Sequence, residues 1–146
     1  MKNIKSLVTG AIAASSIISL KPAQAQTQMT FNPAGQWMCQ QTEQAQGFVS
    51  YNQFQLLVHP NQQYQASGMG EVKAQNGQSM QYQSQSQGLW EVNGANVTFA
   101  GQSLANFNGE PVQSSFVHQY TGINQNTMAM NLNDAEGVVN TVCQRG

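Results

Sequence analysis

The chain has 146 residues, of which 8% are charged and 40% hydrophobic, and its formal net charge is −1 at pH 7. That length corresponds to about one domain. Beyond residue 25 only Lys73 and Arg145 are cationic, against six carboxylates, which leaves a formal charge near −4. Because phosphate binding needs clustered Lys and Arg, this composition excludes nucleic acid as a partner.

The first 25 residues have the pattern of a cleaved export signal. Lys2 and Lys5 precede an apolar run over residues 7–20, and residues 23–25, Ala-Gln-Ala, have the small-x-small pattern that signal peptidase cleaves. The apolar run of about 14 residues is shorter than the roughly 20 that a membrane-spanning helix needs. No cysteine follows the cleavage site for lipid attachment. We therefore predict a signal peptide over residues 1–25 and a mature protein, without a membrane span, in a bacterial periplasm or outside the cell.

Residues 36–145 alternate between apolar and polar side chains with a period of two, and Gly, Asn, Pro and Asp separate the alternating segments. This pattern predicts an all-β domain of eight strands over residues 35–146, preceded by an N-terminal arm over residues 26–34. Amides replace charges as the solubilising groups, since about 23 Gln and 13 Asn follow residue 25. The predicted strands cover residues 36–44, 48–59, 63–72, 79–92, 96–101, 113–120, 127–132 and 138–145, and residues 102–111 are predicted to be an irregular loop.

The two cysteines, Cys39 and Cys143, are the only ones in the chain. An exported protein meets oxidising conditions, so we predict that they form one disulfide. They lie near the start of the first predicted strand and near the end of the last. In an even-stranded up-and-down sheet these positions become antiparallel neighbours only if the sheet closes, which also removes both exposed edges. The bridge thus predicts an eight-stranded antiparallel up-and-down barrel, with an open sandwich as the alternative.

Pairing Cys39 with Cys143 in antiparallel register places Trp37 opposite Arg145. A guanidinium over an indole is a favourable cation–π pair, worth roughly 0.5 to 2 kcal/mol depending on burial. We therefore predict that Trp37 and Arg145 help to close the barrel. The alternative is that Trp37 is an ordinary core residue and that Arg145 is a frayed terminal one.

Gly35-Gln36-Trp37, at the start of the first strand, resembles the GxW motif of the lipocalin and wider calycin barrels. The resemblance implies a lipocalin-like barrel in which a late basic residue, here Arg145, packs over the Trp. The chain departs from that family because it is shorter, has no predicted C-terminal helix and joins its first and last strands by a disulfide. Residues 34–37 also resemble the start of the periplasmic barrel inhibitors of secreted bacterial metalloproteases, whose internal cysteine pair has no counterpart here.

No catalytic pattern is evident, because GxSxG, HExxH and paired CxxC motifs are absent from the sequence. His118 shares a strand face with Phe116 and Tyr120, which favours a core or lumen histidine over a catalytic base. A carboxylate pair for glycoside hydrolysis stays open, since any of the six carboxylates could meet in space. We predict a non-enzymatic protein with no metal and no cofactor.

A barrel of eight strands is just wide enough to be filled by its side chains or to hold one small ligand. Small residues at positions 66, 68, 70, 84 and 86 favour a cavity at one end. The first functional hypothesis is therefore a carrier or sensor of a small apolar molecule. The residues predicted to line the lumen are Phe54, Leu56, Tyr64, Tyr82, Trp90, Phe99, Phe116, His118, Tyr120, Met128 and Met130.

Three other functions fit the same pattern. The second hypothesis is an inhibitor or adaptor that binds a secreted protein through residues 102–111 or through the N-terminal arm. The third is an outer-membrane barrel, which the shortness of the predicted strands disfavours. The fourth is an extracellular amyloid-type matrix protein, suggested by the amide content. The sequence leaves the ligand, the protein partner and the oligomeric state open.

Overall fold

The computed structural model describes residues 30–146, which form eight antiparallel strands joined by short turns. The predicted signal peptide, residues 1–25, and residues 26–29 of the predicted arm lie outside the described residues. The strands are β1 (Gly35–Ala45), β2 (Phe48–Val58), β3 (Gln63–Ala74), β4 (Ser79–Asn93), β5 (Asn96–Phe107), β6 (Glu110–Asn124), β7 (Thr127–Asp134) and β8 (Gly137–Arg145).

Each strand pairs with the strands before and after it in the chain, and β8 pairs with β1, so the sheet is a closed barrel. Cys39 lies directly opposite Cys143 in the β1–β8 ladder, with their Cα atoms 4.0 Å apart, and their sulfur atoms form a disulfide. The predicted eight-stranded up-and-down barrel closed by one disulfide is confirmed, and the open sandwich is excluded.

The predicted loop over residues 102–111 is wrong. β5 continues to Phe107 and β6 begins at Glu110, so the connection is only Asn108-Gly109. Both turn residues have positive φ, 52° and 89°, as a tight hairpin requires, and the Gly109 amide donates to Asn106 Oδ1 at 2.7 Å.

Residues 103–107 of β5 do not have the sequence pattern of a strand with an apolar inner face. Their apolar residue Leu104 lies on the outer face, and small residues lie on the inner face. Leu104 points outward and is 44% exposed, whereas the inward positions carry Ser103 and Ala105. The strand nevertheless forms because its backbone pairs with β4 on one side and with β6 on the other. Backbone pairing with two neighbouring strands, more than the side-chain pattern, therefore determines that this segment is a strand.

The two ends of the barrel differ in packing. One end holds both chain termini of the barrel and the β2–β3, β4–β5 and β6–β7 connections, and its interior is filled. The other end holds the remaining four turns and has a partly open interior, described below. We call them the closed end and the open end. Five of the fully buried side chains lie at the closed end, namely Phe31, Pro33, Trp37, Val97 and Met128.

Arg145 fastens the closed end. Its guanidinium lies over the Trp37 ring, with Cζ 4.3 Å from the ring centroid, and it donates to the carbonyl oxygens of Asn32, Ala34 and Gln125 at 2.7 to 3.0 Å. One side chain thereby ties together the arm, the β6–β7 turn and the start of β1. A planar guanidinium suits this role because it presents several donors in a fixed geometry.

The glycine of the Gly35-Gln36-Trp37 motif makes room for that guanidinium. Gly35 has φ of 132°, which side-chain-bearing residues rarely adopt, and a Cβ added there would lie 2.8 Å from Arg145 Nη1. The Trp37 indole nitrogen donates to the Pro33 carbonyl at 2.8 Å, which holds the ring under the arm. The local sequence Gly-x-Trp is thus explained by the packing of a cation on an indole.

The described end of the arm is packed against the barrel. Phe31 is 1% exposed, its ring centroid lies 5.9 Å from that of Trp37, and its amide donates to the Gly94 carbonyl at 3.2 Å. Gly122 on β6 leaves space for the Phe31 ring, since a Cβ there would approach that ring within 2.5 Å. Residues 30–34 therefore close the barrel instead of extending from it.

We predict that the Cys39→Ala/Cys143→Ala double variant lowers the free energy of unfolding by roughly 2 to 5 kcal/mol, because the bridge no longer restricts the unfolded chain. Urea denaturation of the two proteins measures this difference. Dithiothreitol should destabilise the wild type by a similar amount and should leave the double variant unchanged. Equal stability of the two proteins would contradict the assignment of the bridge as the main fastening of the β1–β8 seam.

We predict that Arg145→Lys lowers the free energy of unfolding by on the order of 2 kcal/mol, because lysine keeps the charge but loses most of the hydrogen bonds to the three carbonyls. Lys73→Ala is the matched control. Lys73 forms an exposed ion pair with Glu71 at 3.8 Å, so its loss should change stability by less than about 0.5 kcal/mol. Thermal and urea unfolding measure both; a neutral Arg145→Lys substitution would refute the role of the guanidinium.

Candidate functional site

A cavity of about 250 Å³ lies inside the barrel, between the filled closed end and the mouth of the open end. The strands that bound it include both members of the disulfide seam, β1 and β8. The inward-facing residues that line it are Gln41, Glu43, Asn52, Phe54, Leu56, Tyr64, Ala66, Ser84, Ser86, Phe99, Ser103, Ser114, Phe116, His118, Tyr120, Leu132 and Val139.

The cavity exists because the middle of the barrel has small inward side chains. Ala66, Ser86 and Ser103 are successive cross-strand partners on β3, β4 and β5, and Ser114 continues the same row on β6. A barrel of this strand number is filled only when bulky residues occupy such positions. A row of four small residues therefore leaves a space that the aromatic residues on either side do not fill.

An aromatic cluster forms the floor of the cavity. The Tyr64 and Phe99 rings meet edge to face with centroids 5.0 Å apart, and Phe99 and Tyr120 meet in the same way at 5.4 Å. Phe116 joins through Tyr64 at 6.4 Å. Edge-to-face contacts are a preferred arrangement of aromatic pairs. The floor is consequently rigid and offers ring edges and faces to whatever occupies the space above it.

Two buried polar atoms at the cavity have no hydrogen-bond partner within the described residues, namely Asn52 Oδ1 and the Tyr64 hydroxyl. Tyr64 is only 4% exposed, and burial raises the pKa of its hydroxyl, so the group is neutral and carries its proton. The hydroxyl lies over Gly101, where a Cβ would approach it within 2.5 Å. Each atom exposes less than 1 Å² of surface, so a molecule in the cavity does not reach it, and leaving such a group unpaired costs roughly 1 to 3 kcal/mol.

His118 lines the cavity beside this floor. Its ring packs against that of Phe116 at an interplanar angle of 36°, with centroids 4.7 Å apart. Burial lowers the pKa of His118 to about 4, because the charged imidazolium is poorly solvated there. The imidazole is therefore neutral at pH 7 and can both donate and accept a hydrogen bond.

Toward the mouth the lining becomes polar. The Ser50 hydroxyl and the Tyr82 hydroxyl are 3.1 Å apart, and Gln41 Nε2 donates to Thr141 Oγ1 at 2.9 Å across the β1–β8 seam. Burial raises the pKa of the Glu43 carboxyl. Burial also raises the pKa of Tyr82, which its hydrogen bond with Ser50 partly offsets and the nearby Glu43 charge reinforces.

Part of the wall beside His118 lacks a backbone ladder. The β6–β7 register consists of three pairs, from Thr121↔Ala129 to Asn124↔Thr127, with a bulge at residues 122–124. No pairs join β6 before Thr121 to β7 after Ala129 in this register. His118 and Leu132, which belong to these two segments, both line the cavity. This is the least restrained part of the wall in the described barrel.

Seven of the residues predicted to line the lumen do line this cavity. The four others lie elsewhere inside the barrel. Trp90 is at the closed end and donates from its indole nitrogen to the His59 carbonyl at 2.8 Å, while Met128 and Met130 are part of the filled core. Tyr82 lies nearer the mouth, where its ring centroid is 5.0 Å from that of Phe107. The seven that line the cavity are Phe54, Leu56, Tyr64, Phe99, Phe116, His118 and Tyr120.

Sequence reasoning missed the polar part of the lining. Asn52 shares strand parity with Phe54, and Gln41 shares it with Cys39, so both positions were readable as inward. Amides are so frequent in this chain that a buried one resembles the many solvated ones. Ser103 was missed because it lies within residues 102–111, which were predicted to be a loop. Ser114 lies in the predicted strand over residues 113–120, but its small polar side chain did not mark it as a lumen residue.

A second, larger concavity of about 440 Å³ lies on the outer surface across β2 to β6. It is lined mainly by solvated amides, including Gln55, Gln85 and Gln113, and by two leucines, Leu57 and Leu104. The inner cavity, in contrast, lies within the barrel and is lined by residues of all eight strands, including those of the aromatic floor. The inner cavity is therefore the better candidate site, although the outer groove is larger.

Within residues 30–146, no group of three or more His, Cys, Asp or Glu residues is arranged to hold a metal ion. The same residues include no helix that is long and apolar enough to cross a membrane. In comparisons with known proteins, no family model matches the chain, and no curated protein matches it significantly in sequence.

The lowered pKa of His118 predicts a loss of stability in acid. Between pH 6.5 and about 4 the unfolded chain binds a proton at this residue that the folded protein does not. The free energy of unfolding should therefore fall as the pH drops through that interval, with on the order of 1 to 3 kcal/mol due to this group. At neutral pH and above, the histidine contributes no pH dependence.

Urea denaturation at pH 7.0 and pH 4.5 checks this, with wild type and His118→Phe compared. The variant should lose less stability between the two pH values than the wild type. His59→Phe, at an exposed turn, is the matched control. The same pH dependence in wild type and His118→Phe would show that His118 is protonated in the folded barrel.

Proposed function

We propose that this protein is an exported, non-enzymatic carrier or sensor that holds one small, predominantly apolar molecule in the lumen of its barrel. The observation that carries the proposal is a cavity inside the barrel with an aromatic floor and with polar side chains, among them Gln41 and His118, in its wall. Ligand pockets are typically apolar concavities with a few polar groups that fix orientation. The inner cavity has both properties.

The architecture supports this use. The closed end is filled and fastened by Arg145, so a molecule in the cavity is held from below, whereas the open end admits it from above. The eight-stranded barrel is consistent with a lipocalin-like small barrel, the class in which the Gly-x-Trp motif also occurs. Edge-to-face contacts on the floor keep the site preformed, which reduces the entropy lost on binding.

The composition of the cavity lining bears on one kind of catalysis. Glu43 lines the cavity as the single carboxylate, which argues against the carboxylate pair of glycoside hydrolysis at this site.

Export is part of the proposal and is supported by the signal-like pattern of residues 1–25 and by the disulfide, which forms in oxidising compartments. The outer faces of β3 and β4 carry a row of amides, namely Gln65, Gln83, Gln85 and Gln87. A lipid-facing barrel presents an apolar band at such positions, so these amides favour an aqueous surrounding.

The competing hypothesis of a protein inhibitor or adaptor relied on an irregular loop over residues 102–111 and on an extended N-terminal arm. The segment 102–111 is hairpin, and residues 30–34 of the arm are packed on the closed end. Residues 26–29 lie outside the described residues. A small-molecule site in the lumen therefore has the stronger support.

Native mass spectrometry of the protein purified from its own host tests the proposal. We expect a non-covalent adduct on the wild type and its loss in Ser86→Trp, because an indole at this inward position fills the cavity. Ser115→Trp places the same side chain on the exposed outer face and should keep the adduct. A wild-type protein without an adduct, or an adduct that survives Ser86→Trp, would contradict a lumen site.

A further inference from the structure

If the proposed function holds, the charge of the cavity lining restricts the chemistry of its occupant further. Glu43 is the one carboxylate among the lining residues. The two Lys or Arg side chains of the described residues, Lys73 and Arg145, do not line the cavity. His118 is neutral because burial lowers its pKa to about 4. When Glu43 is ionised, the cavity therefore carries a negative charge for which the described residues supply no counter-charge.

The Glu43 carboxylate is accessible from the cavity. Glu43 lies on β1 between Ser50 on β2 and Val139 on β8, and it is only partly buried. Within residues 30–146 the carboxylate has no ion pair and no hydrogen bond, and its oxygens retain exposed surface. Burial raises the pKa of this carboxyl, because it removes part of the water that solvates the charge. A cation beside Glu43 would replace that lost solvation.

Gln41, the next inward residue of β1, adds a second acceptor. Its Nε2 donates to Thr141 Oγ1 at 2.9 Å, and the Thr141 hydroxyl is in turn hydrogen-bonded to that of Tyr120. Gln41 Oε1 has no hydrogen-bond partner within the described residues and is not fully buried. Glu43 lies two residues nearer the open end, roughly 7 Å along the strand. One side of the cavity wall therefore presents a carboxylate and a carbonyl oxygen above the aromatic floor.

An ammonium group is complementary to this side of the wall. It carries a positive charge and three N–H donors and has no acceptor. A metal ion requires several oxygen ligands, and within residues 30–146 no group of three or more His, Cys, Asp or Glu residues is arranged to hold one. An anion would be repelled by Glu43, and a neutral donor would leave its charge without a counter-charge.

The size of the cavity limits the rest of the ligand. Pockets for drug-sized molecules measure roughly 300 to 1,000 Å³, whereas this cavity measures about 250 Å³. It accommodates a body of one or two rings. The floor formed by Tyr64, Phe99 and Tyr120 offers ring edges and faces on which such a body packs.

We propose that the inner cavity binds a primary amine with an aromatic body of one or two rings, whose ammonium group pairs with Glu43. The ammonium donates to the Glu43 carboxylate and to Gln41 Oε1, and the rings pack on the aromatic floor. The ligand is thereby oriented with its charged end toward the open end of the barrel.

The experiment compares three probes that share one naphthalene body, in fluorescence titrations with the full mature protein at pH 7. The probes are 1-naphthylmethylammonium, 1-naphthalenemethanol and 1-naphthoate. We expect the wild type to bind the ammonium at least about tenfold more tightly than the alcohol, as one partly desolvated charge pair provides. Naphthoate should bind more weakly than both.

Glu43→Gln should reduce the preference for the ammonium to less than about twofold and should keep the affinity for the alcohol, because only the charge is removed. Glu91→Gln is the matched control. It removes the same charge from an exposed residue of β4 that does not line the cavity. The preference should be unchanged in this control, which separates pairing with Glu43 from a general attraction of cations to a negatively charged protein.

Equal binding of the ammonium and the alcohol by the wild type, a preference that survives Glu43→Gln, or one that falls equally in Glu91→Gln would overturn the proposal. If Glu43→Gln does not fold, Glu43→Ser takes its place with the same expectation. Binding of none of the probes would also overturn it and would leave native mass spectrometry to decide the proposed function.

Ser86→Trp separates this proposal from the proposed function. If this variant abolishes the binding of the ammonium and the alcohol, the lumen is the site, and the ammonium preference alone decides the role of Glu43. If both probes bind Ser86→Trp as tightly as wild type, the site lies elsewhere and both proposals fail. Loss of the alcohol alone would overturn the amine site and keep the lumen site. Ser115→Trp is again the control.

Discussion

The covalent pairing of the first strand with the last is the constraint on which the rest of the structure depends. Cys39 and Cys143 are fully buried and face each other across the β1–β8 ladder. The same two strands supply Gln41, Glu43 and Val139 to the cavity wall. If β1 and β8 separated, the sheet would have two free edges and the lumen would be open to water along its whole length. The bridge therefore preserves the site as well as the fold.

The barrel is divided into a filled half and a hollow half by the volumes of its inward side chains. At the closed end, Trp37, Phe31 and Met128 occupy the interior almost completely. Nearer the open end, the row of small residues formed by one alanine and three serines takes the inward positions, and the interior is not filled. Close packing of the first half offsets the cost of leaving the second half loosely packed, which is a common compromise between stability and function.

Arg145 stabilises the closed end of the barrel in a chain that has few charged residues. It contacts backbone carbonyls and an aromatic face instead of a carboxylate, so its position does not depend on an ion pair that salt would screen. Gly35 and Trp37 are adapted to it, one by leaving space and the other by offering its ring. The lining of the inner cavity, in contrast, has a single carboxylate, Glu43, and no lysine or arginine side chain.

The sequence predicted the barrel because period-two alternation and the spacing of two cysteines are both global signals. It failed for residues 102–111, where Leu104 faces water and small residues face the lumen, so that side-chain pattern and backbone pairing disagree. The aromatic half of the site was predictable from strand parity. Asn52 was not recognised, because whether an amide is solvated or unpaired depends on neighbours that only the closed sheet brings together.

A crystal structure of the protein isolated from its source tests the central claim most directly, because it places any bound molecule relative to the lining. The account predicts density for one small molecule in the lumen, in contact with the aromatic floor formed by Tyr64, Phe99 and Tyr120. A lumen that holds only ordered water, with a ligand seated instead in the outer groove beside Gln85 and Leu104, would contradict it.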